Sequence, residues 1–148
     1  METKLLAQLV DQKHRVLTQL RDLAQRQLEL AESSDVRALV GLLAVKQKLL
    51  DQLTHVETEL NPFREQDPEA RIWTPPEHRR RCAEVCAQCR ELLDEVMQLD
   101  RQAEERLQQR QKQSRLQIES AHGAASARAA YGSANQSAPR MIDLASDT

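Results

Sequence analysis

Apolar residues recur at intervals of three and four positions over three long segments of the chain. In the first segment the series is Leu6, Leu9, Val16, Leu20, Leu23 and Leu30. This spacing places apolar side chains on one face of an α-helix, because one helical turn takes about 3.6 residues. The first series therefore predicts a helix over about residues 3–31.

A cluster of small polar residues, Ser33-Ser34-Asp35, separates the first segment from the second. Such side chains compete for backbone hydrogen bonds and favour a turn followed by a helix N-cap. The second series is Leu39, Leu43, Leu49, Leu50, Leu53, Val56 and Leu60. It predicts a helix over about residues 35–60, ended by Asn61-Pro62, since proline lacks the N–H that a helix needs. Residues 39–45 are apolar nearly all round, which predicts burial on more than one side.

The third segment follows a linker over residues 61–74. Thr74-Pro75-Pro76-Glu77 is typical of a capping box at a helix start. The apolar series that follows is Cys82, Val85, Cys89, Leu92, Val96, Leu99 and Ala103. It predicts a helix over about residues 77–120, roughly 65 Å long against roughly 40 Å for each of the other two.

The three segments together predict an all-α fold. We expect an antiparallel bundle of three long helices with coiled-coil-like packing over residues 1–120, in which the third helix overhangs. Only one Trp, one Tyr and one Phe occur in the chain, a composition typical of long helices. Residues 121–148 are rich in Ala, Ser and Gly and are predicted to form a disordered tail with an apolar cluster at Met141, Ile142 and Leu144.

The charge balance does not indicate a polyanionic partner, because the formal net charge is only -2. No apolar run approaches the roughly 20 residues needed to span a bilayer, so we expect a cytoplasmic protein with no membrane span. The cysteines are odd in number, which indicates no disulfide framework and fits a reducing compartment.

Three cysteines are the strongest candidates for chemistry. The spacing Cys82-x3-Cys86-x2-Cys89 matches the iron–sulfur loop of radical SAM enzymes, and His78 one turn earlier could complete a zinc site. Those motifs lie on loops and turns, whereas these cysteines continue a helical stripe of Val and Leu. We interpret them as packing residues and predict no metal and no cofactor. The four histidines are dispersed and no glycine-rich phosphate loop occurs, so no catalytic site and no enzyme are predicted.

The run His78-Arg79-Arg80-Arg81 is the one dense basic patch of the sequence. Nucleic-acid binding is one interpretation of this run. A solvated helix face is favoured, because Glu77 and Glu84 are adjacent and the aromatic stacking residues of single-strand binders are missing.

The stretch LVGLLAVKQKLLDQL at residues 39–53, the long third helix and the tail with Tyr131-Gly132 resemble the FlgN family. These proteins are cytosolic chaperones of the flagellar type III export system. The resemblance implies hook-associated clients similar to FlgK and FlgL, held by the C-terminal part of the chaperone. It also implies that a tail tyrosine, here Tyr131, docks on an export-gate protein similar to FlhA. The proline-bounded linker and the alanine-rich tail depart from the family pattern.

After Ala103 the large apolar residues are few, namely Leu107, Leu116 and Ile118, so this part of the helix lacks a packing partner of its own. A partner protein can complete such a helix. On the leading interpretation, Ala103, Leu107, Leu116 and Ile118 bind the client and no catalysis takes place. A FliT-like chaperone with another client fits these residues equally well.

Two other classes of function stay open on the sequence. A structural coiled-coil protein would bury its surplus apolar surface by self-association as a homodimer. A nucleic-acid-binding helical protein would use residues 79–81 and the basic stretch 101–115, although the leading interpretation predicts no nucleic-acid partner.

Overall fold

A computed structural model describes the backbone of residues 2–135 and the side chains of residues 3–132. Three long helices account for most of it: α1 is Glu2–Ala31, α2 is Val36–Arg64 and α3 is Glu77–Asn135. A single 3-10 turn, Pro68–Ala70, lies between α2 and α3. Residues 2–135 contain no β-strand. The predicted all-α class is confirmed.

The core of the bundle consists of two clusters of buried side chains, and each cluster takes residues from all three helices. The first contains Leu6, Leu9, Val10, Val56, Leu60, Phe63 and Cys82. The second contains Val16, Leu17, Leu20, Leu49, Cys89, Leu92 and Val96. From the first cluster to the second, residue numbers rise along α1 and α3 and fall along α2. The helix α2 is therefore antiparallel to both of its neighbours, which confirms the predicted antiparallel three-helix bundle.

The start of α2 follows from its cap. Asp35 is the N-cap, and its Oδ1 accepts a hydrogen bond of 3.0 Å from the backbone N–H of Ala38. This bond satisfies one of the N–H groups that have no partner within the helix.

The end of α2 differs from the sequence prediction, because the helix passes through Pro62 and ends at Arg64. Phe63 explains the extension. Its ring is only 8% exposed and belongs to the first core cluster. Burying such a side chain contributes about 1.5–3 kcal/mol, which offsets most of the roughly 3 kcal/mol that a proline costs inside a helix.

The linker between α2 and α3 is held against the bundle by specific bonds. The Arg71 guanidinium donates to the carbonyl oxygen of Phe63 at 2.5 Å, and the Thr3 hydroxyl donates to the carbonyl oxygen of Ile72 at 3.0 Å. Trp73 packs on the first core cluster. The first turn of α3 is then closed by a backbone bond from the N–H of His78 to the carbonyl oxygen of Pro75.

The chain divides into two compact units, Met1–Arg106 and Leu107–Thr148. All buried side chains of the described residues belong to the first unit, and Ala103 is the last of them along the chain. In the second unit, α3 runs to Asn135 rather than to residue 120. Alanine explains this length, because it has the highest helix propensity and is frequent over residues 121–130. Residues 136–148, including Met141, Ile142 and Leu144, lie outside the described part.

Candidate functional site

The second unit presents apolar side chains that this chain does not bury. Leu116 is 54% exposed and Ile118 is 69% exposed, while Leu107 is half-buried. No side chain of residues 107–132 is buried. This segment is therefore a helix whose apolar residues are available to a partner.

Two of the predicted client-binding residues share a face of α3, and one does not. At about 100° per residue, Ile118 lies within about 20° of Leu107 around the helix axis, whereas Leu116 lies about 180° away. Towards the end of the helix the Leu107 face continues with Ala121, Ala125 and Ala129, of which the last two are half-buried. Small side chains let another helix approach closely, so this face has the shape of a helix-docking surface. We name the face of Leu107 and Ile118 the α3 face.

Ala103 does not belong to that surface. Its side chain is 0% exposed and lies within the bundle of the first unit. A fully buried methyl group offers no area to a client, so Ala103 is removed from the predicted client-binding set. The interval from Ala103 to Leu107 continues the apolar spacing of α3, which is why the pattern alone groups the two residues.

Tyr131 lies on α3 rather than in an unpatterned tail, and its side chain is 73% exposed. Around the helix it lies about 120° from Leu107, away from the α3 face. Its position thus separates the predicted export-gate residue from the predicted client-binding residues.

The first half of α2 carries a second exposed apolar surface, formed by Val36, Val40, Leu43 and Leu50. These side chains are 69%, 59%, 43% and 37% exposed, respectively. The prediction that this part of α2 is buried on more than one side is wrong for the chain by itself. Another series on the same helix makes the core contacts, with Leu49, Val56, Leu60 and Phe63 buried. We name the exposed series the outer face of α2.

A cleft of about 210 Å³ lies among the three helices near the linker. Its apolar wall comes from Leu6, Val10, Leu60 and Phe63. Its other lining side chains are cationic or carry a thiol, namely Lys13, Arg64, Arg71, Arg90, Cys86 and Cys89. Lys13 and Arg64 both pair with Glu57, and the Nζ of Lys13 lies 2.6 Å from Oε1 of that carboxylate. Burial alone would raise the pKa of Glu57, but these two cations lower it below its ordinary value.

The cysteines in this region are not equivalent. The hydrogen bond from Cys82 stabilises the Cys86 thiolate and, with the positive charges of Lys13 and Arg90, lowers the pKa of Cys86 to about 6. The same bond raises the pKa of Cys82, and burial raises that of Cys89. Cys82 and Cys89 are buried, whereas Cys86 is half-buried at the cleft. The sequence interpretation of all three as packing residues did not separate Cys86 from the other two, because its ionisation depends on the hydrogen bond from Cys82 and on the charge of Lys13, which α1 places nearby.

The basic run at the start of α3 has acidic neighbours in the fold. The guanidinium of Arg79 lies 3.0 Å from Glu69 of the linker, and that of Arg80 lies 3.5 Å from Glu84 one turn along α3. These contacts place part of the run in ion pairs within the chain.

The described residues contain neither a membrane-spanning helix nor a cluster of metal-binding side chains. No helix within residues 2–135 has both the length and the apolar character to cross a membrane. Over the same part of the chain, no group of three or more His, Cys, Asp or Glu side chains is placed to share a metal ion.

Comparisons of the chain with protein-family models, with curated proteins and with solved structures found no match.

Proposed function

We propose that this protein is a cytoplasmic, non-catalytic export chaperone of the FlgN type. Its clients would be flagellar hook-associated proteins similar to FlgK or FlgL, and it would deliver them to an export-gate protein similar to FlhA. Support for this proposal comes from the resemblance at residues 39–53 and from the α3 face.

One observation carries the proposal. Beyond Arg106, α3 continues as a helix with apolar side chains on one face, and no side chain of residues 107–132 is buried. A helix of this kind gains most of its stability from packing an amphipathic face. The polar residues around the face are mostly Gln and Arg, whose long stems cover apolar surface while their heads stay in water. An amphipathic helical segment of a client is the partner that such a face fits best.

Delivery to an export gate would use a different part of α3. Tyr131 is exposed and lies away from the α3 face, so a gate protein could bind it while a client stays bound. An aromatic side chain with one hydroxyl can bury a large area and still make a hydrogen bond, which suits a small docking contact.

The two residues that define the α3 face, Leu107 and Ile118, provide the test of client binding. We expect the double variant Leu107→Asp, Ile118→Asp to lose co-purification of the FlgK-like or FlgL-like proteins of the same genome. Two charges buried at a contact cost several kcal/mol, enough to weaken binding by more than about a hundredfold. The far-UV circular dichroism of the bundle should not change, because neither residue is part of the two core clusters.

The control is Leu116→Asp, which adds one carboxylate on the opposite side of the helix, the same substitution that the double variant makes at each of its two positions. This variant should bind the client as the unmodified chain does. If the double variant retains full client binding, or if no hook-associated protein co-purifies with the unmodified chain, the proposal is wrong.

A further inference from the structure

The outer face of α2 has the spacing of a coiled-coil seam. Its apolar residues Val36, Val40, Leu43 and Leu50 lie at intervals of four, three and seven, and Gln47 and Thr54 continue the same series. Alternating intervals of three and four keep a stripe facing a second helix along its length. The stripe over residues 36–54 extends for about 27 Å. We infer that the outer face of α2 binds the same face of α2 in a second copy of this chain, with the two helices antiparallel.

The charges beside the seam indicate both the second copy and its direction. On one flank, the first half of α2 carries Arg37 and the second half carries Asp51. Both side chains are exposed. Antiparallel packing of two copies sets Arg37 of each helix against the negative charge of the other helix. A parallel arrangement would set like charges against each other.

The register follows from pairing apolar layers. When Val40 packs against Leu50 of the partner subunit, Leu43 meets Gln47 of the partner subunit. In that register Arg37 lies close to Asp51 of the partner subunit. A two-fold axis repeats every contact, so the face is complementary to itself and forms a closed dimer.

The size of the face sets the expected affinity. A contact made by one helix of each copy buries less surface area than a standard protein–protein interface. Gln47 within the seam lowers the stability of the dimer, while it favours a single register. We therefore expect a reversible dimer with a dissociation constant of about 1–100 µM.

This inference goes beyond the proposed function and uses a different surface. The outer face of α2 belongs to the unit Met1–Arg106, whereas the α3 face belongs to Leu107–Thr148. The dimer is measured without any client, so its failure and the failure of the chaperone proposal are separate results.

Sedimentation velocity of the full chain from about 1 to 300 µM is the first test. We expect a concentration-dependent shift from monomer to dimer. Leu43→Glu should remove the shift, because each copy would then bury an unpaired carboxylate in the seam. The matched control is Met97→Glu, since Met97 is 52% exposed on α3 and belongs neither to the outer face of α2 nor to the two core clusters. This control should dimerise as the unmodified chain does.

Charge reversal tests the antiparallel register. Arg37→Asp and Asp51→Arg should each weaken the dimer by about tenfold, because each change affects two symmetric contacts. The double variant should recover the original affinity. Circular dichroism of every variant checks that the bundle is folded.

Three results would overturn the inference. The first is a chain that remains monomeric over the whole concentration range. This result would overturn the inference even if the outer face of α2 binds a different protein. The second is a dimer that Leu43→Glu leaves intact, because the contact would then lie elsewhere. The third is a double charge variant that stays as weak as the single variants, which would exclude the antiparallel register.

Discussion

At the scale of single residues, one cysteine differs chemically from its neighbours. Cys86 lines the cleft, accepts a hydrogen bond from the Cys82 thiol and lies near Lys13 and Arg90. These groups stabilise the thiolate, which is the nucleophilic form of the side chain. Cys82 and Cys89 are buried and keep their protons to higher pH.

We therefore expect iodoacetamide to alkylate Cys86 first at neutral pH. Because its pKa is lowered to about 6, its rate should rise with pH through that value and level off well below the range in which an ordinary thiol ionises. Mass spectrometry of the three cysteine peptides at several pH values measures each rate.

Substitution of Cys82 shows whether the hydrogen bond that its thiol donates lowers the pKa of Cys86. Cys82→Ala removes the donor and should move the rate profile of Cys86 to higher pH. Cys82→Ser keeps a hydroxyl donor and should move it less. Two results would contradict the assignment of Cys86 as the most reactive thiol. One is an equal alkylation rate at all three cysteines, and the other is a pH profile of Cys86 that Cys82→Ala leaves unchanged.

At the scale of elements, α2 shows how packing overrides a local signal. Pro62 predicts the end of the helix, yet α2 reaches Arg64 because Phe63 is buried. A proline at this position removes the N–H that would bond to the carbonyl oxygen of Thr58. The last turn of α2 is therefore maintained at a cost in stability.

Replacing Pro62 should restore part of the stability that the proline removes. We expect Pro62→Ala to raise the free energy of unfolding by about 1–2 kcal/mol, because the gain of a backbone bond exceeds the loss of unfolded-state restriction. Phe63→Ala should lower it by about 3 kcal/mol through loss of buried ring area. Urea unfolding followed by circular dichroism measures both. A neutral or destabilising Pro62→Ala would contradict the claim that Pro62 lowers the stability of the last turn of α2.

The helix α2 also shows the limit of a periodic pattern. Its sequence contains two apolar series, the core series of Leu49, Val56 and Leu60 and the outer face that begins at Val36. Both have intervals typical of a helix stripe. The rotation of α2 about its own axis determines which of the two series packs against α1 and α3. The spacing of the apolar residues does not predict this rotation.

At the scale of the whole molecule, the buried core and the surface proposed for client binding belong to different units. The two core clusters lie within Met1–Arg106, and no side chain of residues 107–132 is buried. The first unit therefore contains the hydrophobic burial that stabilises the fold. The second contains the α3 face proposed for clients and Tyr131 proposed for an export gate.

A chain ending after Arg106 tests this separation. We expect cooperative unfolding with a free energy within about 0.5 kcal/mol of the full chain, since no core contact is removed. This shortened chain should still form the α2 dimer but should not bind a hook-associated client. Urea unfolding, sedimentation and co-purification measure the three properties. Loss of the cooperative transition would show that residues after 106 stabilise the bundle.

Local patterns along the chain are enough to predict the all-α class, the three helices and their antiparallel order. These features depend on local chemistry that can be read along the chain, such as the intervals of apolar residues and the cap at Asp35. The same reasoning selected Leu107, Leu116 and Ile118 as apolar residues without a partner inside the bundle, but it grouped the buried Ala103 with them.

The packing of the helices, in contrast, sets which apolar residues are buried and which thiol ionises. It placed Ala103 inside the bundle, left Val36 and Val40 exposed, and brought Lys13 near Cys86. The physical reason is that spacing sets the angle of a side chain around its own helix axis, whereas burial and electrostatics depend on what neighbouring helices place opposite it.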